Sequence, residues 1–257
     1  MATAKEHAID LYMGAIRDGD THAALDRNIG DRYTQHSTGV KDGKDGFLEF
    51  FEPFLERNPV RDMKVVRALQ DGPKIFIHAH QSLNHGAAEW VTTDFFDSDA
   101  DGKIVEHWDV IAAHNASNPS GRSNVDGPAE ITDREKTDAN RALVSEFVNR
   151  VLIGREIDRV EEFIDADNYA QHNNDVGDGL AAFLAFFRPD DCPLAYDELF
   201  LIVAEGNFVA TLCRAHSGEQ PLCLADVFRV SNGKIVEHWD AVENVPPREE
   251  WANSGKF

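Results

Sequence analysis

The sequence predicts an α+β protein made of two tandem copies of one unit. Gly-Lys-Ile-Val-Glu-His-Trp-Asp stands at residues 102–109 and returns letter for letter at 233–240. Farther upstream, residues 33–51 match residues 169–187 without a gap. In both copies a helix-like spacing of apolar residues gives way to short strand-like segments. Because self-similarity of this kind indicates a duplicated structural unit, we expect helices packed on a sheet to occur twice.

The first part of each copy has the apolar spacing of helices. Thr3 and Glu6 form a capping box, in which each side chain satisfies a backbone amide at a helix start. In the second copy, Thr132 and Glu135 predict the same capped start. One buried helical face is predicted in the first copy from Ala8, Leu11, Tyr12, Ala15 and Ile16. A short helix is expected over 21–25, followed by a phenylalanine-rich third helix that Pro59 ends.

Four strands follow the helices in each copy. They are short, rich in branched and aromatic residues, and separated by Asp-Gly or similar turns. We expect them at 63–69, 74–82, 89–96 and 103–112, and again near 199–204, 208–216, 222–230 and 234–242. Consecutive strands joined by tight turns pair in antiparallel fashion. Each copy is therefore predicted to pack three helices on one face of a curved, mostly antiparallel sheet.

The repeat also predicts the domain boundaries. A chain of 257 residues fits two ordinary domains, each long enough to bury its own core. Residues 115–127 are rich in Asn, Ser, Pro and Gly, which is typical of a connection between domains. We therefore expect a first domain at 1–118, a linker at 119–130 and a second domain at 131–257.

Charge and cysteine content argue against several classes of function. The net charge of −21 repels polyphosphate and anionic lipid, so neither a nucleic acid nor a membrane is an expected partner. Cys192, Cys213 and Cys223 show no Cys-x-x-Cys spacing, which favours neither a disulfide framework nor a structural zinc site. The sequence has no export-type apolar segment and no apolar run of about 18 residues. We expect a cytoplasmic protein that binds a small molecule and uses no cofactor.

Both copies carry the same set of motifs: Tyr-x-Gln-His, Asp-Gly, Phe-x-x-Phe-Phe, Asp-x-Phe and the Gly-Lys-Ile-Val-Glu-His-Trp-Asp ending. The set resembles the SnoaL-like branch of the NTF2-like superfamily. The resemblance implies two cone-shaped domains, each enclosing one deep pocket between its helices and its sheet. It also implies no single activity, since this superfamily includes polyketide aldol cyclases, ketosteroid isomerases, epoxide hydrolases and non-catalytic carriers.

Asp94 and its counterpart Asp226 are the leading catalytic candidates. Asp94 stands in the middle of the aromatic segment 90–96, where an uncompensated carboxylate would be costly. By resemblance, these positions hold the catalytic aspartate of aldol cyclases, or the protonated acid of the isomerases. Apolar surroundings should raise the pKa of such a carboxyl toward a value useful for proton transfer. The alternative is an aspartate that pairs with an arginine or caps a loop.

The last strand of each copy adds a histidine and a second aspartate. Residues two apart share a face of a strand, so His107 and Asp109 point the same way. His238 and Asp240 are their counterparts. The resemblance to the isomerases places this face toward the pocket, so we expect the two histidines to be catalytic and the two aspartates to contact the substrate. The alternative for His107 is a hydrogen bond to a neighbouring backbone group.

A third pair of histidines, His36 and His172, falls where the isomerases place their general base. A histidine there could accept a proton or orient a carbonyl group. The flanking residues are expected to contact the substrate, and these are Tyr33, Gln35, Tyr169 and Gln171. The alternative is a hydrogen bond that fixes a turn.

His78 and His80 share one strand face, with His85 and Glu89 following, which is a spacing that could bind a metal. The second copy has Leu212 and Arg214 at the corresponding places, so we expect no metal site. His80 remains a candidate pocket residue in the first copy.

The resulting hypothesis is a cofactor-free enzyme that performs acid–base chemistry of the aldol or isomerase type on a small carbonyl compound. One alternative is a non-catalytic module that binds a hydrophobic ligand, and another is that one copy has become a scaffold. We also expect the two copies to pair within the chain as a pseudo-two-fold dimer, which leaves room for a further homodimer of the whole chain.

Overall fold

A computed structural model describes residues 2–189 and 192–257. The first copy begins with α1 (Ala4–Tyr12), α2 (Thr21–Asn28) and α3 (Gly43–Arg57). The capping box at the start of α1 is confirmed, because Thr3 and Glu6 exchange both of its hydrogen bonds. No helix in the described parts of the chain combines the length and the apolar character needed to cross a membrane.

The first sheet has five strands in the order β1-β5-β4-β3-β2. Its strands are β1 (Ile29–Gln35), β2 (Arg61–Asp71), β3 (Lys74–Leu83), β4 (Ala88–Ser98) and β5 (Ile104–Ala113). β1 runs parallel to β5, and the other pairs are antiparallel. The four-strand meander is confirmed, whereas β1 was not predicted.

Alternate residues divide this sheet into two faces. Ile75, Ile77 and Ala79 of β3 belong to the core that packs against the helices, which makes theirs the inner face. Asp94 lies directly across from Asp109 in the pairing of β4 with β5. The side chain of Tyr12, on α1, reaches the same inner face, where its hydroxyl meets Asp94.

The second copy repeats this plan with modified helices. It contains α4 (Thr137–Phe147) and α5 (Leu180–Phe187), and a 3₁₀ segment (Ile157–Glu162) takes the place of α2. Its strands, in the order β6-β10-β9-β8-β7, are β6 (Ala170–Gln171), β7 (Ala195–Glu205), β8 (Phe208–Ser217), β9 (Gln220–Ser231) and β10 (Lys234–Asn244). Two five-stranded sheets of matching order fit the tandem repeat.

The capping box predicted at Thr132 does not form. The backbone amide of Thr132 donates to the side chain of Asn207, and the Thr132 carbonyl accepts from the Asn207 amide. Asp133 adopts a left-handed conformation, with φ of 52°, and α4 begins only at Thr137. Pairing with the β7–β8 turn therefore replaces the local cap.

The compact units divide the chain at other points than the expected 1–118, 119–130 and 131–257. The first unit consists of the residues up to Ala113 together with Val245–Phe257, and the second of His114–Asn244. The expected linker and the residue before it belong to the second unit: the Asn118 side chain donates to the Gln171 carbonyl at 2.7 Å, and Nε1 of Trp239 donates to the Asp126 carbonyl at 2.9 Å. The segment that follows the last strand of each repeat is thus part of the unit formed by the other repeat.

Candidate functional site

The first unit contains a cavity of about 280 Å³ beside α3 and the inner face of the sheet. Consecutive turns of α3 give it an aromatic wall, made by Phe47, Phe50, Phe51 and Phe54. Polar side chains also line it, namely Tyr12, Gln35, Ser37, Gln81, Thr92, His107 and Asp109. A mostly apolar cavity with a few polar groups is the usual form of a site for a small molecule.

Asp94, His107 and Tyr12 form a buried hydrogen-bonded cluster at this cavity. Asp94 is completely buried, and its Oδ1 lies 3.0 Å from Nε2 of His107. The Tyr12 hydroxyl donates to the same oxygen and lies 3.3 Å from Nε2. Tyr12 and His107 line the cavity, whereas Asp94 is behind them. Asp94 would therefore act on a ligand through these two residues.

Gln35 determines which nitrogen of His107 carries a proton. The Ser37 amide donates to Oε1 of Gln35 at 2.9 Å, which fixes the direction of the Gln35 side chain. The same oxygen lies 2.8 Å from Nδ1 of His107, so Nδ1 must be a donor. Nε2 then faces Asp94 across one shared proton, which resides on either the carboxyl or the imidazole. The Asp94–His107 pair is thus a reservoir for one proton, next to Tyr12.

The surroundings of Asp94 favour its protonated form. Burial raises the pKa of Asp94, and the hydrogen bond and charge of His107 only partly oppose this shift. Its Oδ2 has no hydrogen-bond partner among the residues that the structure describes, and neither does the buried Oγ1 of Thr92, two residues away on the same face. Unpaired buried polar atoms are costly, and a proton on Asp94 lowers this cost because it removes the charge from the carboxyl group.

Asp109 is a second acid close to Asp94 and His107, and its surroundings favour the ionised form. The side-chain ligand atoms of Asp94, His107 and Asp109 all lie within 4.8 Å of one another. Burial alone would raise the pKa of Asp109, but the ammonium group of Lys256, 2.9 Å from Oδ1, together with smaller effects of His107 and Ser37, brings the pKa below its usual range. Two acids with pKa values pushed apart can serve as proton donor and proton acceptor.

The second unit repeats the cluster with a tyrosine from another element. Oδ1 of Asp226 lies 3.0 Å from Nε2 of His238, and Nδ1 of His238 lies 2.9 Å from Oε1 of Gln171. The tyrosine hydroxyl comes from Tyr196 of β7 and donates to Asp226 at 3.0 Å. Burial would lower the pKa of His238, but the hydrogen bond and charge of Asp226 outweigh it and raise this pKa.

The counterpart of Asp109 has different surroundings. Asp240 accepts a hydrogen bond from Asn173 at 2.5 Å. Burial raises the pKa of Asp240 to about 6, against the charge of His238. At the positions of the cavity residues Gln81 and Thr92, the second copy has Ala215 and Leu224, which belong to its hydrophobic core. The two copies therefore keep the same buried cluster but not the same acid beside it.

The structure does not bring His36 or His172 to these clusters. Each lies on the outer face of its sheet and stacks on a tryptophan, Trp108 or Trp239, with ring centroids 4.6 Å apart. Nε2 of His36 lies 2.9 Å from Glu106, and Nδ1 lies 2.7 Å from the carbonyl oxygen of Gly255. Since they follow an inward-facing glutamine by one residue, both side chains must point outward. Neither histidine is proposed as a base below.

Two predicted contact residues of the first copy, Tyr33 and His80, also lie away from its cavity, and Tyr169 of the second copy is buried. Tyr33 is buried beneath His107, its ring 6.4 Å away and parallel, and burial raises the pKa of its hydroxyl. Tyr169 accepts a hydrogen bond from Gln171, 3.3 Å away, and burial raises the pKa of this hydroxyl too. His80 is on the outer face of β3, with Nε2 3.5 Å from Glu89. Of the predicted contact residues in the first copy, Gln35 and Asp109 do line the cavity.

Asp94, His107 and Asp109 are also the kind of side chains that could bind a metal ion. Each of them already has a partner that a metal would displace: Tyr12 for Asp94, Gln35 for His107 and Lys256 for Asp109. A cation placed 2.9 Å from Asp109 already balances its charge. We therefore assign no metal to this cluster.

Sequence reasoning missed Tyr12, Tyr196 and Lys256. Tyr12 was assigned to the buried face of α1, and the spacing could not show that its hydroxyl reaches Asp94. Tyr196 has no tyrosine counterpart, since Met63 occupies the equivalent place on β2. Lys256 lies beyond the repeat, so no sequence signal pointed to it.

The sequence of the first copy matches a known protein family. Residues 9–107 match the SnoaL-like domain. This part of the first unit is thus similar to a SnoaL-like domain, in agreement with the resemblance of its motifs. The match does not extend to the second copy, whose SnoaL-like character rests on the internal repeat and stays a prediction. No curated protein matches the sequence.

Several solved structures resemble part of the chain. A candidate ketosteroid isomerase from Kribbella flavida is 18% identical, with a TM-score of 0.39 over 44% of this chain and 84% of that protein. A candidate polyketide cyclase from Bacillus cereus is 18% identical, with a TM-score of 0.38 over 42% of this chain and 74% of its own. An LEH-like epoxide hydrolase from M. tuberculosis is 20% identical, with a TM-score of 0.36 over 42% of this chain and 85% of that protein. Likenesses of this size say nothing about activity.

Proposed function

We propose that the first unit is a cofactor-free acid–base catalyst that removes a proton from the carbon next to the carbonyl group of a small, mainly apolar compound. One observation carries the proposal. The Asp109 carboxylate and the Asp94–His107 pair lie within 4.8 Å of each other beside an aromatic-walled cavity. Proton removal next to a carbonyl group needs a base and a donor to the developing oxyanion at one place. Aldol and isomerase reactions both begin in this way.

Asp109 is the proposed base. It is ionised at neutral pH because its pKa is lowered, and it contacts the cavity directly. A carboxylate of low pKa is a weak base, so stabilisation of the oxyanion must supply much of the rate enhancement. The proton passes from the substrate carbon to Asp109. In an isomerisation Asp109 returns this proton to another carbon. In an aldol reaction the enolate attacks a second carbonyl group, and the alkoxide that forms takes the proton from Asp109.

Tyr12 is the proposed donor to the oxyanion. Burial raises the pKa of its hydroxyl well above the usual value, so the group stays protonated. When a carbonyl oxygen enters, the hydroxyl can turn from Asp94 toward it. The tyrosine oxygen then accepts a hydrogen bond from the Asp94–His107 pair, whose Nε2 is 3.3 Å away. The shared proton thereby strengthens the donor as negative charge develops.

The walls of the cavity favour an apolar, neutral substrate. Phe47, Phe51 and Phe54 offer aromatic faces to a flat carbon skeleton. The net charge of −21 disfavours an anionic ligand. A volume of about 280 Å³ limits the substrate to a small molecule.

The test is the exchange of hydrogen for deuterium next to the carbonyl group of cyclic and aromatic ketones such as 2-tetralone, followed by proton NMR in D₂O. We expect the protein to accelerate exchange, and Asp109→Asn to reduce the acceleration by at least about 10²-fold, since general acid–base catalysis contributes about 10²–10⁴-fold. Asp240→Asn is the matched change in the second unit and should leave exchange in place. Circular dichroism shows whether each variant is folded.

Two outcomes would contradict the proposal. If Asp240→Asn abolishes exchange and Asp109→Asn does not, the reaction belongs to the second unit. If a ketone binds in the cavity, as shown by saturation-transfer NMR, but exchanges no faster than in buffer, the first unit is not a catalyst of this class.

A non-catalytic module that binds a hydrophobic ligand is the second candidate, because most of the cavity wall is apolar. Native mass spectrometry of freshly purified protein separates the two functions. A carrier retains a molecule of fixed mass, whereas an enzyme releases its product.

A further inference from the structure

The carboxy-terminal segment Val245–Phe257 packs against the wall of the first cavity. The amide of Ala252 donates to the carbonyl of Thr38 at 2.8 Å. The side chain of Asn253 donates to the carbonyls of Ser37 and Val40, at 2.7 and 2.8 Å. Ser37 and Val40 both line the cavity. The segment therefore holds the loop that forms one side of the site.

This segment ends by burying a lysine. Lys256 is only 1% exposed, and its Nζ lies 2.9 Å from Oδ1 of Asp109. A buried ammonium group is costly unless it meets an opposite charge with good geometry. Since Asp109 lines the cavity and Lys256 does not, the lysine reaches a ligand only through the carboxylate.

We infer that Lys256 is a positioning residue of the candidate site: its ammonium group fixes the charge and direction of the Asp109 carboxylate, so that the site of the first unit is incomplete without the carboxy-terminal segment. The role of Asp109 as a base rests on the proposed function. The ion pair and its effect on Asp109 do not.

Gly255 allows the lysine to reach this place. Its φ is 110°, a conformation that favours glycine, and a Cβ there would lie 2.0 Å from the ring of Trp251. The Gly255 carbonyl accepts from His36 on the outer face of the sheet. This hydrogen bond anchors the backbone just before Lys256. The histidine predicted as a base thus acts as an anchor for the segment that delivers the lysine.

The second unit shows the same anchor without the lysine. Nδ1 of His172 lies 2.6 Å from the carbonyl oxygen of Ser123. The residue after Ser123 is Asn124, whose Oδ1 accepts from the Asn115 amide. Asp240 accordingly meets Asn173 rather than a cation. The lysine therefore distinguishes the two sites of the chain.

Other ionisable groups also face Asp109, but they do not account for its lowered pKa. His107 from β5 contributes an attractive charge, as Lys256 does. Asp94 from β4, Tyr12 from α1 and Tyr33 from β1 are acids, and a negative charge on any of them would oppose ionisation of Asp109. Because the second unit keeps the histidine, and yet Asp240 has a raised pKa, the histidine alone is not sufficient.

The experiment follows the titration of Asp109 by NMR in the full chain labelled with ¹³C at aspartate carboxyls. The Asp109 signal is assigned by its loss in Asp109→Asn, and that of Asp240 by its loss in Asp240→Asn. We expect Asp109 to titrate below about 3.9 in the natural chain. Lys256→Met should raise the midpoint by about 1–3 pH units, the range that a nearby opposite charge accounts for. Lys256→Arg should restore most of this shift, and Asp240 should stay near 6 throughout.

An Asp109 midpoint at or above 3.9 in the natural chain, or no shift in Lys256→Met, would overturn the inference. If Lys256→Met does not fold, Gly255→Ala takes its place, because it displaces Lys256 without removing its charge. The Asp109 midpoint in Gly255→Ala should then lie above that of the natural chain, and an unchanged midpoint would overturn the inference. Ketone exchange is measured on the same samples. Exchange without a shift in midpoint refutes the lysine's role alone, and a shift without exchange refutes the proposed function alone.

Discussion

Neutralising two equivalent aspartates, Asp109→Asn and Asp240→Asn, should change stability in opposite directions. The pKa of Asp240 rises from 3.8 to about 6 on folding. Because the folded state holds the proton more tightly, folding is penalised as pH rises from about 3.8 to 6, and the penalty remains above that range. The difference of about 2.2 units corresponds to about 3 kcal/mol. Part of Asp240 is exposed, so water screens part of this effect and we expect Asp240→Asn to stabilise by about 1–3 kcal/mol at pH 7.5.

Asp109→Asn removes the carboxylate that balances a buried lysine. Breaking one partner of a buried ion pair costs about 3–5 kcal/mol, and we expect a loss of up to this size at pH 7.5. The folded pKa of Asp109 is lowered, so its contribution is present at neutral pH and is lost as pH falls below about 3.9.

The assay is urea denaturation at pH values from 4 to 8, followed by tryptophan fluorescence. The increase in the free energy of unfolding caused by Asp240→Asn should grow between pH 4 and 6 and level off above pH 7. The reasoning is refuted if the two substitutions change the free energy of unfolding in the same direction at pH 7.5, or if the gain from Asp240→Asn is independent of pH.

Three further predictions concern single side chains and the whole chain. Tyr12→Phe should leave the fold intact and lower ketone exchange by about 10²–10³-fold, the usual cost of one oxyanion donor, as measured by NMR; a smaller loss than tenfold would remove Tyr12 from the site. Gly255→Ala should expose the carboxy-terminal segment to proteases, because a Cβ would strike Trp251; unchanged cleavage kinetics in limited proteolysis would count against the close packing there. Light scattering should show a monomer at low concentration if the two copies pair within one chain, and an obligate larger assembly would show that this pairing is not sufficient.

The repeat and the apolar spacing predicted most of the fold because both reflect burial. Strands β2 to β5 and their counterparts lie where branched and aromatic residues cluster. β1 was missed because Ile29–Gln35 is largely polar and pairs only at the sheet edge, in parallel with β5. The cap at Thr132 failed because contacts with Asn207, far along the chain, replaced the local hydrogen bonds.

The part of the candidate site that was predictable from the sequence is the set of side chains that share one face of a strand. Alternation along β5 put His107 and Asp109 on one face, and the resemblance to the isomerases indicated that this face is the inner one. The same rule, applied to the strand before His36, would have turned that histidine outward, but β1 was not expected to be a strand. Lys256 could not be found in this way, since its place depends on a tail that returns to the first repeat.

The exchange of terminal segments has a consequence for how this chain can be divided or can evolve. If the chain were cut between the repeats, the first half would lack Lys256, and the second half would lack the contacts of Asn118. Each repeat therefore supplies a segment that belongs to the compact unit of the other repeat. We accordingly expect the two repeats to fold best as one chain, even if only one of the two acid clusters takes part in chemistry.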